Sequence, residues 1–159
     1  MSGPPVRRLA CSVAAVVLVG CGATATGATP PAAPSYIQQY ASAGAALDTA
    51  TATWDTLGQS LVAAGTNTVA NEAPVDASYA DALQTFDNAL RSIPFPASAG
   101  NDVHALINAA DAVRRDLAGV ASGAVPTTQF VSDESDLQGA INLVQRDLGL
   151  GSSTPIAGR

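Results

Sequence analysis

The chain has 159 residues, of which 47% are hydrophobic, 13% charged and 4% aromatic, with a formal charge of −6, and a length of this order fits one small domain. It holds 33 alanines and no lysine, so every cation is an arginine and much of the apolar content is a single methyl group, a composition that favours helix. Seven arginines among thirteen acidic residues exclude a nucleic-acid binder, which needs several cations on one face to neutralise phosphates, and a lone histidine excludes most imidazole-based metal and nucleophile chemistry.

The first twenty residues have the three-part layout of an export signal: Arg7 and Arg8 form a short positive region, Leu9 to Val19 is an uncharged apolar run, and Gly20-Cys21 follows at once. A run of eleven residues is too short to span a membrane, which takes about 20. The segment Leu18-Val19-Gly20-Cys21-Gly22 resembles a bacterial lipobox. That resemblance implies cleavage between Gly20 and Cys21 and a thioether-linked diacylglycerol on Cys21, which then becomes the N-terminus. Two acyl chains anchor stably where one binds marginally. Cys11 leaves with the signal, so the mature chain has no thiol left for a disulfide and rests on packing alone. The Arg7-Arg8 pair lacks the polar surroundings of a twin-arginine signal, so ordinary unfolded export is expected. Loss of both arginines takes the formal charge to −8, from five arginines and thirteen acids, and an anionic body is repelled by anionic headgroups, which leaves membrane residence to the lipid.

Residues 21–35 are rich in Ala, Thr and Pro without periodicity and read as a tether that cannot bury enough surface to fold. From Tyr36 the pattern turns helical, with Ile37, Tyr40, Gly44, Leu47, Thr51, Trp54, Gly58 and Leu61 recurring in steps of three and four. Gly65 and Asn67 mark its end. Residues 66–76 are expected to form a loop through Pro74, with Asp76 or Ser78 capping a second helix on the stripe Tyr79, Leu83, Phe86, Leu90 and Ile93. Pro94-Phe95-Pro96 stops that helix. Asn101 or Asp102 opens a third, carrying Val103, Leu106, Ala110, Val113, Leu117 and Val120 and closing near Gly123. A fourth opens at Thr127 or Thr128 after Pro126 and carries Phe130, Glu134, Leu137, Ile141, Val144 and Leu148. The expected fold is all-α, an up-down-up-down four-helix bundle over residues 36–149, with a disordered tail at 150–159.

The chemistry-bearing residues are sparse. His104 has Asp111 and Arg115 at helical spacing, but no nucleophile or further ligands converge on it, and a solvated imidazole is expected. A di-iron bundle needs Glu-x-x-His pairs, and neither Glu72 nor Glu134 precedes a histidine. Asp133-Glu134-Ser135-Asp136 lacks the spacing of a calcium loop and reads as favourable charge at the start of the fourth helix. Asp87 with Arg91, and Arg114-Arg115-Asp116, read as solvated surface pairs. Metal and cofactor are therefore not expected, nor enzymatic activity. Trp54, Tyr40, Phe86 and Phe130 occupy core spacing, and the alternative to plain packing is a pocket for a small apolar ligand near Trp54. Tyr36 and Phe95 are expected to be the exposed aromatics.

Together the LVGC box, the Thr/Pro tether and the alanine-rich, lysine-free helical body resemble small mycobacterial-type (actinobacterial) envelope lipoproteins. The resemblance implies a chain anchored by lipid to the outer face of the cell membrane. Two functions fit this picture: a non-enzymatic bundle that presents an interaction surface to an envelope protein, and a ligand-binding or sensor bundle with the pocket near Trp54.

Overall fold

The structure, a computed structural model, describes residues 35–150. The signal peptide, the cleavage pair Gly20-Cys21, the lipidation site Cys21, the body of the tether and the tail from residue 151 lie outside the described residues. Four α-helices follow in order: α1 (Tyr36–Ala63), α2 (Val69–Ser92), α3 (Gly100–Ser122) and α4 (Thr127–Asp147). No strand occurs among the described residues.

Local chemistry sets each helix end. Ser35 and Gln38 form a reciprocal cap: the Ser35 hydroxyl accepts from the Gln38 amide at 3.2 Å, and the Ser35 amide donates to the Gln38 side chain at 2.9 Å. Two donors left bare by the first turn are thereby satisfied. From there α1 runs 28 residues, about 42 Å at 1.5 Å per residue. It ends at Gly65, which adopts φ 66° so that the Thr66 amide can reach back to the Leu61 carbonyl at 2.9 Å. Pro94 ends α2 by forcing Ile93 into extended backbone. One 3₁₀ turn, Ala97–Ala99, then leads straight into α3. Gly123, with φ 74°, terminates α3. The turn folds back so closely that a side chain at Gly119 would overlap Val125, which makes Gly119 a requirement of the α3–α4 connection.

The short connections place consecutive helices antiparallel, and α1 packs on α2, α2 on α3 and α3 on α4. The core takes Tyr40, Leu47 and Trp54 from α1, Leu83, Phe86 and Leu90 from α2, Leu106 and Val113 from α3, and Leu137, Ile141 and Val144 from α4. These are the residues that recur in steps of three and four, so the all-α bundle follows directly from the hydrophobic period. Among the described residues the backbones of α1 and α4 do not approach one another as consecutive helices do, and large rings meet across that side instead.

Three local expectations are corrected. Residues 69–76 are helical, not loop, and Pro74 lies inside α2. Pro74 is the sixth residue of α2, so it forfeits the bond its amide would have made to the Ala70 carbonyl. The Asn71 side chain, which donates to the Thr66 carbonyl at 2.8 Å, and the amides of Asn71 and Glu72, both bonded to the Thr68 carbonyl, hold the entry turn. The N-cap position is consequently Thr68, and Asp76 and Ser78 do not cap. Phe95 is half-buried, its ring edge-on to Tyr40 at 6.1 Å, and Tyr36 also packs partly against the core. Neither is a free surface aromatic.

Candidate functional site

The four aromatic residues expected around one pocket are divided between the two ends of the bundle. Trp54 and Phe130 meet at 5.8 Å between ring centroids, and Tyr79 stacks on the other side of the indole at 5.0 Å. Tyr40 sits fourteen residues before Trp54 on α1, about 21 Å along the axis, against Phe95. Phe86 is buried two turns beyond Tyr79 on α2. The indole N–H donates to Asp76 at 2.8 Å, so Trp54 packs against two rings and has its one polar atom engaged. Periodicity found the rings, and nothing in it could find Asp76, which lay in the segment read as a loop. Burial, with Asp48 nearby, pushes the Tyr40 phenol above its ordinary range. It therefore stays protonated.

Beside Tyr40, between the start of α1 and the end of α2, lies an open groove of about 460 Å³ lined by Gln38, Gln39, Ser42, Ala43, Ala89 and Ile93. Its walls are mostly small and apolar, and none of its residues can transfer a proton or bind a metal.

His104 is exposed. Asp111, its sequence partner, is committed elsewhere: Arg114 holds it at 2.8 Å and Arg91 of α2 stands at 3.8 Å. Arg115 is exposed and bonds the Asp111 main-chain carbonyl at 3.1 Å. The residues therefore do not assemble as a proton-transfer pair.

The titratable groups that do come together are aspartates. Asp87, read from sequence as a surface partner of Arg91, is only 1% exposed. It lies near Asp111 across the α2–α3 seam, and its Oδ1 is buried without a hydrogen bond. Burial, then the neighbouring Asp111 charge, pushes Asp87 up to about 6. Asp111 moves the other way, held low chiefly by the Arg114 hydrogen bond. Asp116, read as part of a solvated face, is likewise buried, with Oδ2 unpartnered, and meets Asp133 of α4. Asp133 and Glu134 fall in the second turn of α4 rather than the first, where the favourable pull of the helix N-terminus has faded. Among the described residues no group of three or more His, Cys, Asp or Glu side chains could hold a metal ion, and no helix is long and apolar enough to cross a membrane.

No protein family, curated protein or solved structure matches the chain.

The bundle's two ends differ. One end carries the start of α1, capped by Ser35. At the opposite end, around the α1–α2 turn and the start of α4, apolar side chains stand in solvent: Leu57, Val62, Val69 and Val131. Val62 and Val69 are each 59% exposed. Leu143 and Leu150, at the end of α4, are exposed as well.

Proposed function

We propose that this chain is a non-enzymatic cell-envelope lipoprotein, anchored through lipid on Cys21 to the outer face of the cell membrane, whose helical bundle presents an interaction surface to another envelope protein. The observation that carries the reading is the position of Cys21 directly after an apolar run of signal length, followed by a tether that ends at the Ser35 cap of α1. Membrane attachment thus enters at one end of a bundle about 40 Å long, and the exposed apolar residues Leu57, Val62, Val69 and Val131 lie at the other. The orientation supports a surface held out from the bilayer.

The test is site-specific photo-cross-linking in intact cells, with the reactive group placed at Val62 or Val131 and, as a control, at Gln84 on the side of α2. A discrete protein adduct from the first two positions and none from Gln84 supports the proposal. No adduct, or the same adducts from all three, counts against it. The second reading, a small apolar ligand near Trp54, has less support, because Tyr79 and Phe130 already pack against the indole and Asp76 takes its N–H.

A further inference from the structure

We propose that the tip of the α1–α2 hairpin is a docking surface for a second copy of this chain, in which two tips interlock end to end and cover each other's exposed apolar stripes.

The bundle ends in a step. The stacked pair Trp54 and Tyr79, with Phe130 against the indole, marks one level on α1, α2 and α4. Past that level α1 runs nine residues further, to Ala63, and α2 starts ten residues before Tyr79, at Val69, whereas α4 starts only three residues before Phe130, at Thr127. At 1.5 Å per residue the first two helices reach about 13–15 Å beyond the rings and α4 about 4–5 Å. The Arg91–Asp111 ion pair sets the height of α3 independently. Arg91 lies about 18 Å below Tyr79 and Asp111 about 16 Å below Ser122, so α3 stops close to the level of the rings. The hairpin therefore stands about 10 Å clear of the α3–α4 connection.

The core stripes continue past their cover. On α1 the buried positions Leu47, Thr51, Trp54 and Gly58 lead by steps of three and four to Val62. On α2, Leu83 and Tyr79 lead back through Asp76 and Glu72 to Val69. At the tip Val62 and Val69 are each 59% exposed, and every residue from 62 to 71 is exposed. Two core positions thus face the space over α3 and α4, with no helix among the described residues to fill it.

Charge and shape together select the occupant. Residues 35–150 hold thirteen acids against four arginines, so two copies repel over most of their surface. The step is different. No ionisable side chain occurs from Thr56 to Asn71, which is the tip, or from Leu117 to Ser132, which is the recess beside it. A basic partner would seat on the acidic sides, whereas a neutral tip and a neutral recess suit each other. A tip beside a recess is self-complementary under a twofold axis across the bundle, because the tip of each copy enters the recess of the other. Val62 and Val69 of one copy then meet those of the other. The face is about 20 Å wide, two helix diameters, and about 10 Å tall. That is small beside the roughly 800 Å² per partner of a stable complex, so the pair is weak and forms by mass action. It uses the same end of the bundle as the envelope contact proposed above, but depends neither on the lipid nor on another protein.

The experiment is photo-cross-linking of the purified full chain in non-ionic detergent, with the reactive group at Val69 and, as a control, at Gln84. Val69 should give an adduct of twice the chain mass whose yield falls at least tenfold on dilution from about 100 μM to about 1 μM. Gln84 should give none. Val62→Asp sets like charges across the contact and should abolish the Val69 adduct with the circular dichroism spectrum unchanged, while Val62→Thr, uncharged and of the same shape, should keep most of it. Should Val62→Asp not fold, the dilution series and the Gln84 control decide. No dimer adduct at the higher concentration, equal yields from Val69 and Gln84, adducts to detergent alone, or a folded Val62→Asp chain that still dimerises overturns the inference. A purified chain that stays monomeric while Val62 still yields an adduct to another protein in cells overturns the pairing and leaves the envelope contact standing.

Discussion

Phe130→Ala tests whether the aromatic cluster is a structural joint or a ligand site. Phe130 is 8% exposed and its ring lies 5.8 Å from that of Trp54, joining α4 to α1 where their backbones do not meet closely. Burying a phenylalanine side chain is worth about 1.5–3 kcal/mol. Truncation also leaves a cavity that the backbone cannot fully collapse, which brings the expected cost to about 3–5 kcal/mol. For a domain of this size that is a fall of roughly 10–20 °C in melting temperature. Urea unfolding of the purified chain, followed by Trp54 fluorescence, should show the midpoint displaced to lower denaturant with the slope unchanged. Native emission should also move to longer wavelength as the indole loses a covering ring. Phe130→Leu should recover most of the loss, because it refills much of the volume. A cost under about 1 kcal/mol with unaltered emission would refute the joint, and would mean that the ring borders space left for something else.

Other predictions follow from single contacts. Asp76→Ala removes the acceptor of the indole N–H at 2.8 Å and should cost about 1–2 kcal/mol in chemical denaturation, whereas loss of no stability would place that bond outside the fold's energetics. Gly119→Val should destabilise the fold by about 1–3 kcal/mol through collision with Val125, and exchange of the amide hydrogens around Gly123 should quicken. Ser35→Ala removes the hydroxyl that caps α1 and should cost about 1 kcal/mol, visible as faster hydrogen exchange in the first turn alone. Titration of the purified chain with apolar small molecules should leave Trp54 emission unchanged, and a saturable shift would favour the ligand reading.

Most of the fold was legible because burial and helical period coincide. Leu83, Leu90, Leu106, Val113 and Val144 fall on the expected stripes and are fully or nearly fully buried. The helix ends at Gly65 and Gly123 were legible for a related reason, since a chain that must reverse at positive φ selects glycine. Asp87 and Asp116 were not. An aspartate at helical spacing from an arginine is usually a solvated partner, and only the position of the adjoining helix decides whether it is buried. Pro74 misled in the same way, because a strong local breaker one turn inside a helix costs a single backbone bond, which the rest of the helix and its packing outweigh. The aromatic residues were found individually but not as a set. A stripe records which face a residue occupies and not which of its members share a level, so Tyr40 and Trp54 looked like neighbours although half of α1 separates them.

Mass spectrometry of the N-terminal peptide from chain recovered in cell membranes tests the proposed anchor most directly. The expected peptide begins at Cys21 and carries the mass of a diacylglycerol thioether. A peptide that begins elsewhere, or Cys21 recovered as an unmodified thiol, would contradict a lipid-held bundle.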